Sequence, residues 1–224
     1  MKIFTGKQIH EWDTYTMEHE PIRPIDLMER AAKALTDAIK NRWDASHPFV
    51  IFAGPGNNGG DALAVARMLT EHGYSVETYL FNTSNKLSDE CQRNMRRLHE
   101  TKHVKKFVEV TLNFEPPQLG EHTIVVDGLF GSGLKKPLSG GFAAVVKYIN
   151  SSTIVSIDMP SGLMTEDNTE NIRQNIIRAD VTLTLQQKKL AMYLADNEPF
   201  LGDIEVLDIN LSEEFANRTL TQYY

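Results

Sequence analysis

An apolar run from Phe49 to Ala53 (FVIFA) breaks into GPGNNGGD and resumes as ALAVARML, whose apolar residues fall at helical spacing. A strand, a glycine-rich turn and a helix start in direct succession leave few architectures open, because this is the opening unit of a sheet whose strands are joined by helices. Gly54, Gly56, Gly59 and Gly60 are expected to reach positive φ and to let the backbone approach a ligand. Asp61 is expected to cap a helix that begins at Ala62. The amides of the turn and the positive end of the helix suit a phosphate. Gly54, Gly56 and Gly59 also satisfy GxGxxG, which alone is a weak signal. Asn57 and Asn58 are less usual, two adjacent side-chain amides that each carry donors and an acceptor. The plainer reading is a strand-to-helix connection in which Asn serves left-handed geometry.

Composition sets the bounds. The 224 residues, 41% hydrophobic and 24% charged, can build a full core, and no Pro/Ser/Gly tract divides them, so one domain over 1–224 is expected. Basic residues number 23 against 30 acidic, a net charge of −7 that disfavours general attraction to nucleic acid or to an anionic membrane. Cys91 is the single cysteine, which excludes an intramolecular disulfide and fits a reducing compartment. The start MKIFTGKQIHEWD lacks an apolar leader core and no run reaches membrane-spanning length, so a cytoplasmic protein is expected.

Thr5 with Gln8 reads as a capping box for a first helix to about Glu18, and Ile25 to Trp43 as a second, with Leu27, Met28, Ala31, Leu35, Ala38 and Ile39 on one stripe. Beyond the glycine turn, Gly73 marks a helix end and Ser75 to Phe81 a strand. Ser88 to about Glu100 reads as a helix. Short apolar segments then recur at 106–110, 123–127, 154–158, 181–185 and 204–207, with a helix near 141–150. Buried strands alternating with helices predict an α/β fold, a Rossmann-like, doubly wound, mostly parallel sheet with helices on both faces.

In such a sheet, ligands sit beyond the carboxyl ends of the strands. Three strands end in unusual chemistry: FVIFA before GPGNNGGD, TIVVD before GLFGSGLKKPLSGG, and TIVSID before MPSGL. Asp127 closes the second and is followed by Gly131, Ser132, Gly133, Leu134, Lys135, Lys136 and Pro137, where the lysines offer charge to a phosphate or simply remain solvated. Asp158 closes the third, and a carboxylate there is costly unless something meets it. Asp158 is therefore the best acid/base candidate, against the alternative that it caps a loop through backbone amides. His99 to His103 spells HExxH, but the helix is expected to end near Glu100, which would leave the second histidine off the shared face a zinc site needs.

Together these loops resemble the YjeF N-terminal domain family, the NAD(P)HX epimerases. The resemblance rests on DLMERAA (Asp26 to Ala32), NNGGD (Asn57 to Asp61), Asp127 to Gly133 with Pro137 and Leu138, and Asp158 to Gly162. It implies an isomerase, commonly a homodimer, that equilibrates the R and S forms of hydrated NADH or NADPH, a damage product hydroxylated at carbon 6 of the nicotinamide ring. It also implies substrate contacts on Asn57, Asn58, Gly59, Gly60, Asp61, on Gly131 to Pro137 and on Asp158, and a potassium ion on Asn58, Asp127 and Ser161. Amide, carboxylate and hydroxyl oxygens are hard ligands that suit an alkali cation. Inverting carbon 6 needs hydroxide loss and water addition on the other face, and Asp158 is expected to serve both steps.

The chain departs from the family pattern in places. Ala62 follows NNGGD where Gly is frequent, Leu163 and Met164 follow the PSG where Asp is frequent nearby, and Gln187 to Lys189 stand where a Pro-Lys pair is common. The tail ends where bacterial relatives frequently continue into an ADP-dependent dehydratase domain, so the chain is readable as one half of a longer protein. Two other functions stay open: a non-catalytic binding module, as in related domains of an mRNA decapping enhancer and a lipoprotein-binding protein, and an NAD(P)-dependent oxidoreductase, supported by GxGxxG and by Glu77 near the end of the second strand.

Overall fold

The computed structural model describes residues 2–224. Its main elements, in chain order, are α1 (Gly6–His19), α2 (Pro24–Arg42), β1 (Phe49–Ala53), α3 (Asn57–Glu71), β2 (Val76–Phe81), α4 (Asp89–Glu100), β3 (Lys106–Val110), β4 (Ile124–Gly128), α5 (Gly140–Ile149), β5 (Thr153–Ile157), β6 (Val181–Leu185), α6 (Glu198–Leu201), β7 (Asp203–Leu207) and α7 (Glu213–Arg218). The strands form one seven-stranded sheet in the order β3-β2-β1-β4-β5-β6-β7, and each of its pairings is parallel.

Side-chain alternation along the strands makes the layers. In β1, Phe49, Ile51 and Ala53 enter a core with Leu35 and Ile39 of α2, Leu63 and Leu69 of α3, and Cys91 and Leu98 of α4. Val50 and Phe52 point the other way, into a core with Val145, Val146 and Ile149 of α5. The result is the expected three-layer α/β/α fold. A third cluster, Phe4, Ile9, Trp12, Leu27, Ile209 and Leu211, joins α1 to the segment after β7.

Local rules explain most element ends. The Thr5/Gln8 capping box is present: the Gln8 amide donates to Thr5 Oγ1 at 3.2 Å and the Thr5 amide to Gln8 Oε1 at 3.1 Å. Ser88 caps α4 through the Cys91 amide at 3.3 Å. Gly73, just past the end of α3, has φ 84°, where a side chain would be strained. Cys91 is buried, and burial pushes its thiol up to about 12, so it behaves as a small core residue.

Two expectations about the glycine turn need correction. Helix α3 begins at Asn57, with Gly56 as its extended N-cap (φ −93°) and no side chain capping it; Asp61 lies inside the helix. The apolar pattern starts only at Ala62 because the preceding turn of helix faces a cavity, so hydrophobic periodicity underestimates the helix by a turn. The turn glycines are also absent from the left-handed set, which among the described residues is Gly73, Gly140, Gly162 and Gly202. Their smallness serves close approach instead.

Candidate active site

β1 and β4 are adjacent, yet the chain leaves β1 toward β2 and leaves β4 toward β5, on the other side. Successive connections therefore diverge, and a crevice opens above the two strand ends. Backbone contact closes its floor: the Gly54 amide donates to the Gly128 carbonyl at 3.0 Å. A Cβ on Gly54 would lie 1.8 Å from the Leu129 carbonyl oxygen, and one on Gly59 would lie 1.7 Å from that of Gly54. Only glycine fits at either position.

Above this floor lies a cavity of about 630 Å³, within the size range of small-molecule sites. Asn57, Asn58 and Asp61 line it from α3, residues 131–135 from the loop after β4, and Asp158 from the loop after β5. Lys7, His10 and Asp13 of α1 form another wall, and Gln186, Lys189, Ile209 and Leu211 complete it. Gln186 Oε1 accepts from the Ile209 and Leu211 amides at 3.1 and 3.3 Å, which pins the segment after β7 in place. The first amides of α3 have no side-chain cap. They are available to an anion in the cavity.

Asp127, the fourth residue of β4, is fully buried. Its carboxylate accepts from the Ser156 hydroxyl at 2.8 Å, the Ser161 amide at 2.8 Å, the Ser161 hydroxyl at 2.5 Å and the Leu129 amide at 3.3 Å. Burial raises its pKa, and these hydrogen bonds oppose the rise without cancelling it. Ser161 Oγ also accepts from the Phe130 amide at 2.9 Å. A Cβ added to Gly131 would lie 2.8 Å from Asn58 Oδ1, so the Asn58 side chain reaches the same loop. Asn58, Asp127 and Ser161 thus converge on residues 127–131. This is a cluster of hard oxygen donors around a buried carboxylate neutralised by dipoles and hydroxyls, with no cationic side chain among the causes of its shift. The Asn58 Nδ2 is buried without a protein partner and, as an N–H donor, is left for an acceptor in the cavity, while its Oδ1 faces the loop. The donor set fits an alkali cation.

Asp158 is neutralised differently. The residue is 7% exposed with φ 64°, a strained position for a non-glycine residue. One carboxylate oxygen accepts from the Ser132 amide at 2.9 Å, and the other is ion-paired with Lys189 Nζ. Lys189 is 1% exposed, and its ammonium also donates to Thr184 Oγ1 at 2.8 Å and the Leu185 carbonyl at 2.9 Å. Burial alone would raise the Asp158 pKa, but the Lys189 charge and hydrogen bond, with Ser132, outweigh it and hold the carboxyl below its ordinary range. Asp158 is therefore ionised near neutral pH, a form that can accept a proton and stabilise positive charge.

A family model described as YjeF-related protein N-terminus matches residues 24–191. The chain belongs to this family. An NAD(P)H-hydrate epimerase of Limosilactobacillus fermentum is 31% identical over 210 residues, covering 92% of this chain and 96% of the relative. The bifunctional NAD(P)H-hydrate repair enzyme Nnr of Dictyoglomus turgidum is 29% identical over 222 residues, covering 97% of this chain and 42% of that relative. The crystal structure of the yeast protein ynu0 superposes with a TM-score of 0.74 at 22% identity, covering 100% of this chain and 96% of that one, which shows a shared fold.

Within this YjeF-related fold, the residues singled out from sequence separate into two groups. Asn57, Asn58, Asp61, Gly131, Ser132, Gly133, Leu134, Lys135 and Asp158 line one cavity. Gly59 and Gly60 are buried below it, Gly60 against Met28 and Cys91, while Lys136 is exposed and, like Pro137, does not line it. Lys189 and Asp13 were not legible as site residues. Lys189 sat in a stretch that departs from the family's Pro-Lys pattern, and Asp13 is one polar residue of an ordinary amphipathic helix.

Two alternative signals lose their footing. Glu77 is the second residue of β2, at its start and not near its end, on the edge away from the loops, and forms an ion pair with Lys105 at 2.9 Å, so it does not support a dinucleotide site there. Helix α4 ends at Glu100 and His103 lies beyond it at φ 67°. Among the described residues, no group of three or more His, Cys, Asp or Glu side chains is placed to hold a metal ion. Among the same residues, no helix is long and apolar enough to cross a membrane.

Proposed function

We propose that the protein is an NAD(P)H-hydrate epimerase, which interconverts the R and S forms of hydrated NADH and NADPH in the cavity at the sheet's switch point. The observation that carries this reading is the convergence of three family loops on one cavity that holds a buried, ionised Asp158 paired with Lys189. The first amides of α3 and Lys135 take the pyrophosphate, and the hydrated nicotinamide lies toward Asp158. Leu129, Leu134, Leu185 and Ile209 give that end apolar walls that exclude bulk water.

The chemistry follows from the carbinolamine at carbon 6. The lone pair of the ring nitrogen expels the hydroxyl, which takes a proton from an acidic group of the cavity and leaves as water, so the carbon–oxygen bond breaks and a conjugated iminium cation forms. The Asp158 carboxylate stabilises that positive charge in a site of low dielectric. Water then adds to the opposite face, and Asp158 accepts its proton while the electron pair returns to nitrogen. Lys189 holds Asp158 ionised and fixes its orientation. Asn58, Asp127 and Ser161 would hold a potassium ion, whose charge would offset Asp127 and tie together the loops that form the floor. A homodimer in the cytoplasm belongs to the same reading; the family resemblance supports the dimer, and the free, buried Cys91 is compatible with a reducing compartment.

The deciding experiment is chromatographic resolution of the two hydrate epimers over time, starting from one enriched epimer, with and without the protein. Acceleration of the approach to the epimer equilibrium supports the function. An unchanged rate with well-folded protein, in potassium and in sodium buffers, refutes it.

A further inference from the structure

Inversion at one carbon requires a proton for the departing hydroxyl and a proton acceptor for the incoming water. Asp158, paired with Lys189, enters a turnover as the carboxylate that accepts, which leaves the donor of the first proton to be found. The wall made by α1 holds another carboxyl. Gly6, Ile9, His10 and Asp13 recur at helical spacing and all line the cavity, so one face of α1 is turned toward the site. The helix is anchored there. A Cβ on Gly6 would lie 2.8 Å from Thr165 Oγ1 and 3.2 Å from the Ser132 carbonyl oxygen, Trp12 Nε1 donates to the Ser212 carbonyl at 2.8 Å, and the Ser212 amide donates to Thr16 Oγ1 at 2.9 Å.

We propose that Asp13 is the second acid–base residue of this site, giving its proton to the hydroxyl that leaves carbon 6 while Asp158 takes one from the incoming water. This inference rests on the epimerase reading. In one turnover the Asp13 O–H bond breaks, the departing oxygen leaves as water, the iminium forms, a second water bonds to carbon 6, and its proton passes to Asp158. No electron is gained or lost by the substrate, and the enzyme ends with its single shared proton moved from one carboxyl to the other. The reverse epimerisation uses the two groups in exchanged roles.

The surroundings of Asp13 support the assignment. Around it the cavity presents Lys7 and His10 from α1, Asp61 from α3, Lys135 after β4, Asp158 after β5 and Lys189 after β6. Three carboxyls thus share a cavity whose one buried ammonium is committed to Asp158, so they cannot all ionise together. Burial, then the Asp158 charge, raises the Asp13 pKa to about 7, with Lys189 opposing. Asp61 is pushed well up, first by burial and then by the Asp158 and Asp13 charges. Asp13 is the carboxyl matched to proton exchange near neutral pH.

The test is epimer interconversion by the wild-type protein, Asp13→Asn and Asp13→Glu across pH 5–9, with hydrated NADH binding measured in parallel. Both directions need the form that carries one proton on the pair, so wild-type kcat/KM should fall above about pH 7. Asp13→Asn should lower kcat by about 10²–10⁴-fold with hydrate affinity within about threefold. Asp13→Glu should keep partial activity with its high-pH fall displaced. Retention of wild-type rate and pH profile by Asp13→Asn overturns the inference while leaving the epimerase reading intact, whereas an inactive wild-type protein overturns the epimerase reading itself. If Asp13→Asn does not fold, Asp13→Glu decides: a displaced fall supports the role and an unmoved one overturns it.

Discussion

Asp127 and Asp158 end neighbouring parallel strands and are both buried, yet the protein neutralises them by different means. Asp127 is surrounded by two serine hydroxyls and two backbone amides, and Asp158 faces one buried ammonium and one backbone amide. Fixed dipoles and hydroxyls leave a carboxylate short of full compensation, as its raised pKa records, and such a group suits a structural cation site. A direct ion pair overcompensates burial and keeps the carboxylate charged. The comparison teaches that position in the fold alone does not assign a role; the identity of the neutralising partner does.

Changes at the ion pair should have the largest effects. Asp158→Asn, which tolerates the left-handed backbone better than alanine would, should lower epimerisation by about 10²–10⁴-fold with hydrate binding still measurable. Turnover near the wild-type rate would remove Asp158 from the mechanism. Lys189→Met should destabilise the fold by about 3–5 kcal/mol in urea titrations, because it leaves a buried carboxylate unpaired. The double variant Asp158→Asn with Lys189→Met should recover part of that loss, and strict additivity would deny the coupling.

At the other strand end the expected cost is smaller. Asp127→Asn should lose about 1–3 kcal/mol, since an amide nitrogen cannot accept from the Ser161 amide or the serine hydroxyls. It should also abolish any difference in thermal stability between potassium and sodium buffers that the wild-type protein displays; a difference that survives in the variant would place the cation elsewhere.

Stability against pH separates the aspartates further. A carboxyl with a raised folded pKa contributes stability that is complete below its unfolded value and is lost as pH rises through the folded one. For Asp13 that window runs from 3.8 to about 7, so the urea midpoint should decline across it and Asp13→Asn should flatten the decline. Asp158 has the opposite sign: its contribution is present above the ordinary 3.8 and is lost as pH falls through its lowered folded value. The smallest effect is expected at His103, outside both strand ends, where His103→Asn should change stability by no more than about 0.5 kcal/mol and leave activity unchanged. A large loss there would revive the HExxH reading.

Much of the fold was readable in advance. The capping box at Thr5 and Gln8, the strand alternation and the turn at Gly73 are local signals, and each element they predict is present within a residue or two. The start of α3 was misjudged because its first turn faces a cavity, where burial no longer imposes apolar side chains. The three loops were recognisable as motifs, but the ion pair joining Asp158 to Lys189 was not, since the two lie 31 positions apart in the segments that follow different strands. Asp13 was hidden for the same reason.

Sequence by itself determined the parallel α/β architecture, the family and the three loops, because periodicity, glycine placement and contiguous motifs act over a few residues. Only the tertiary structure decided which carboxyl meets an ammonium, which stands on the cavity wall and which is clamped by hydroxyls. A pKa depends on burial and on groups brought close in space, and neither is written in the local order of residues.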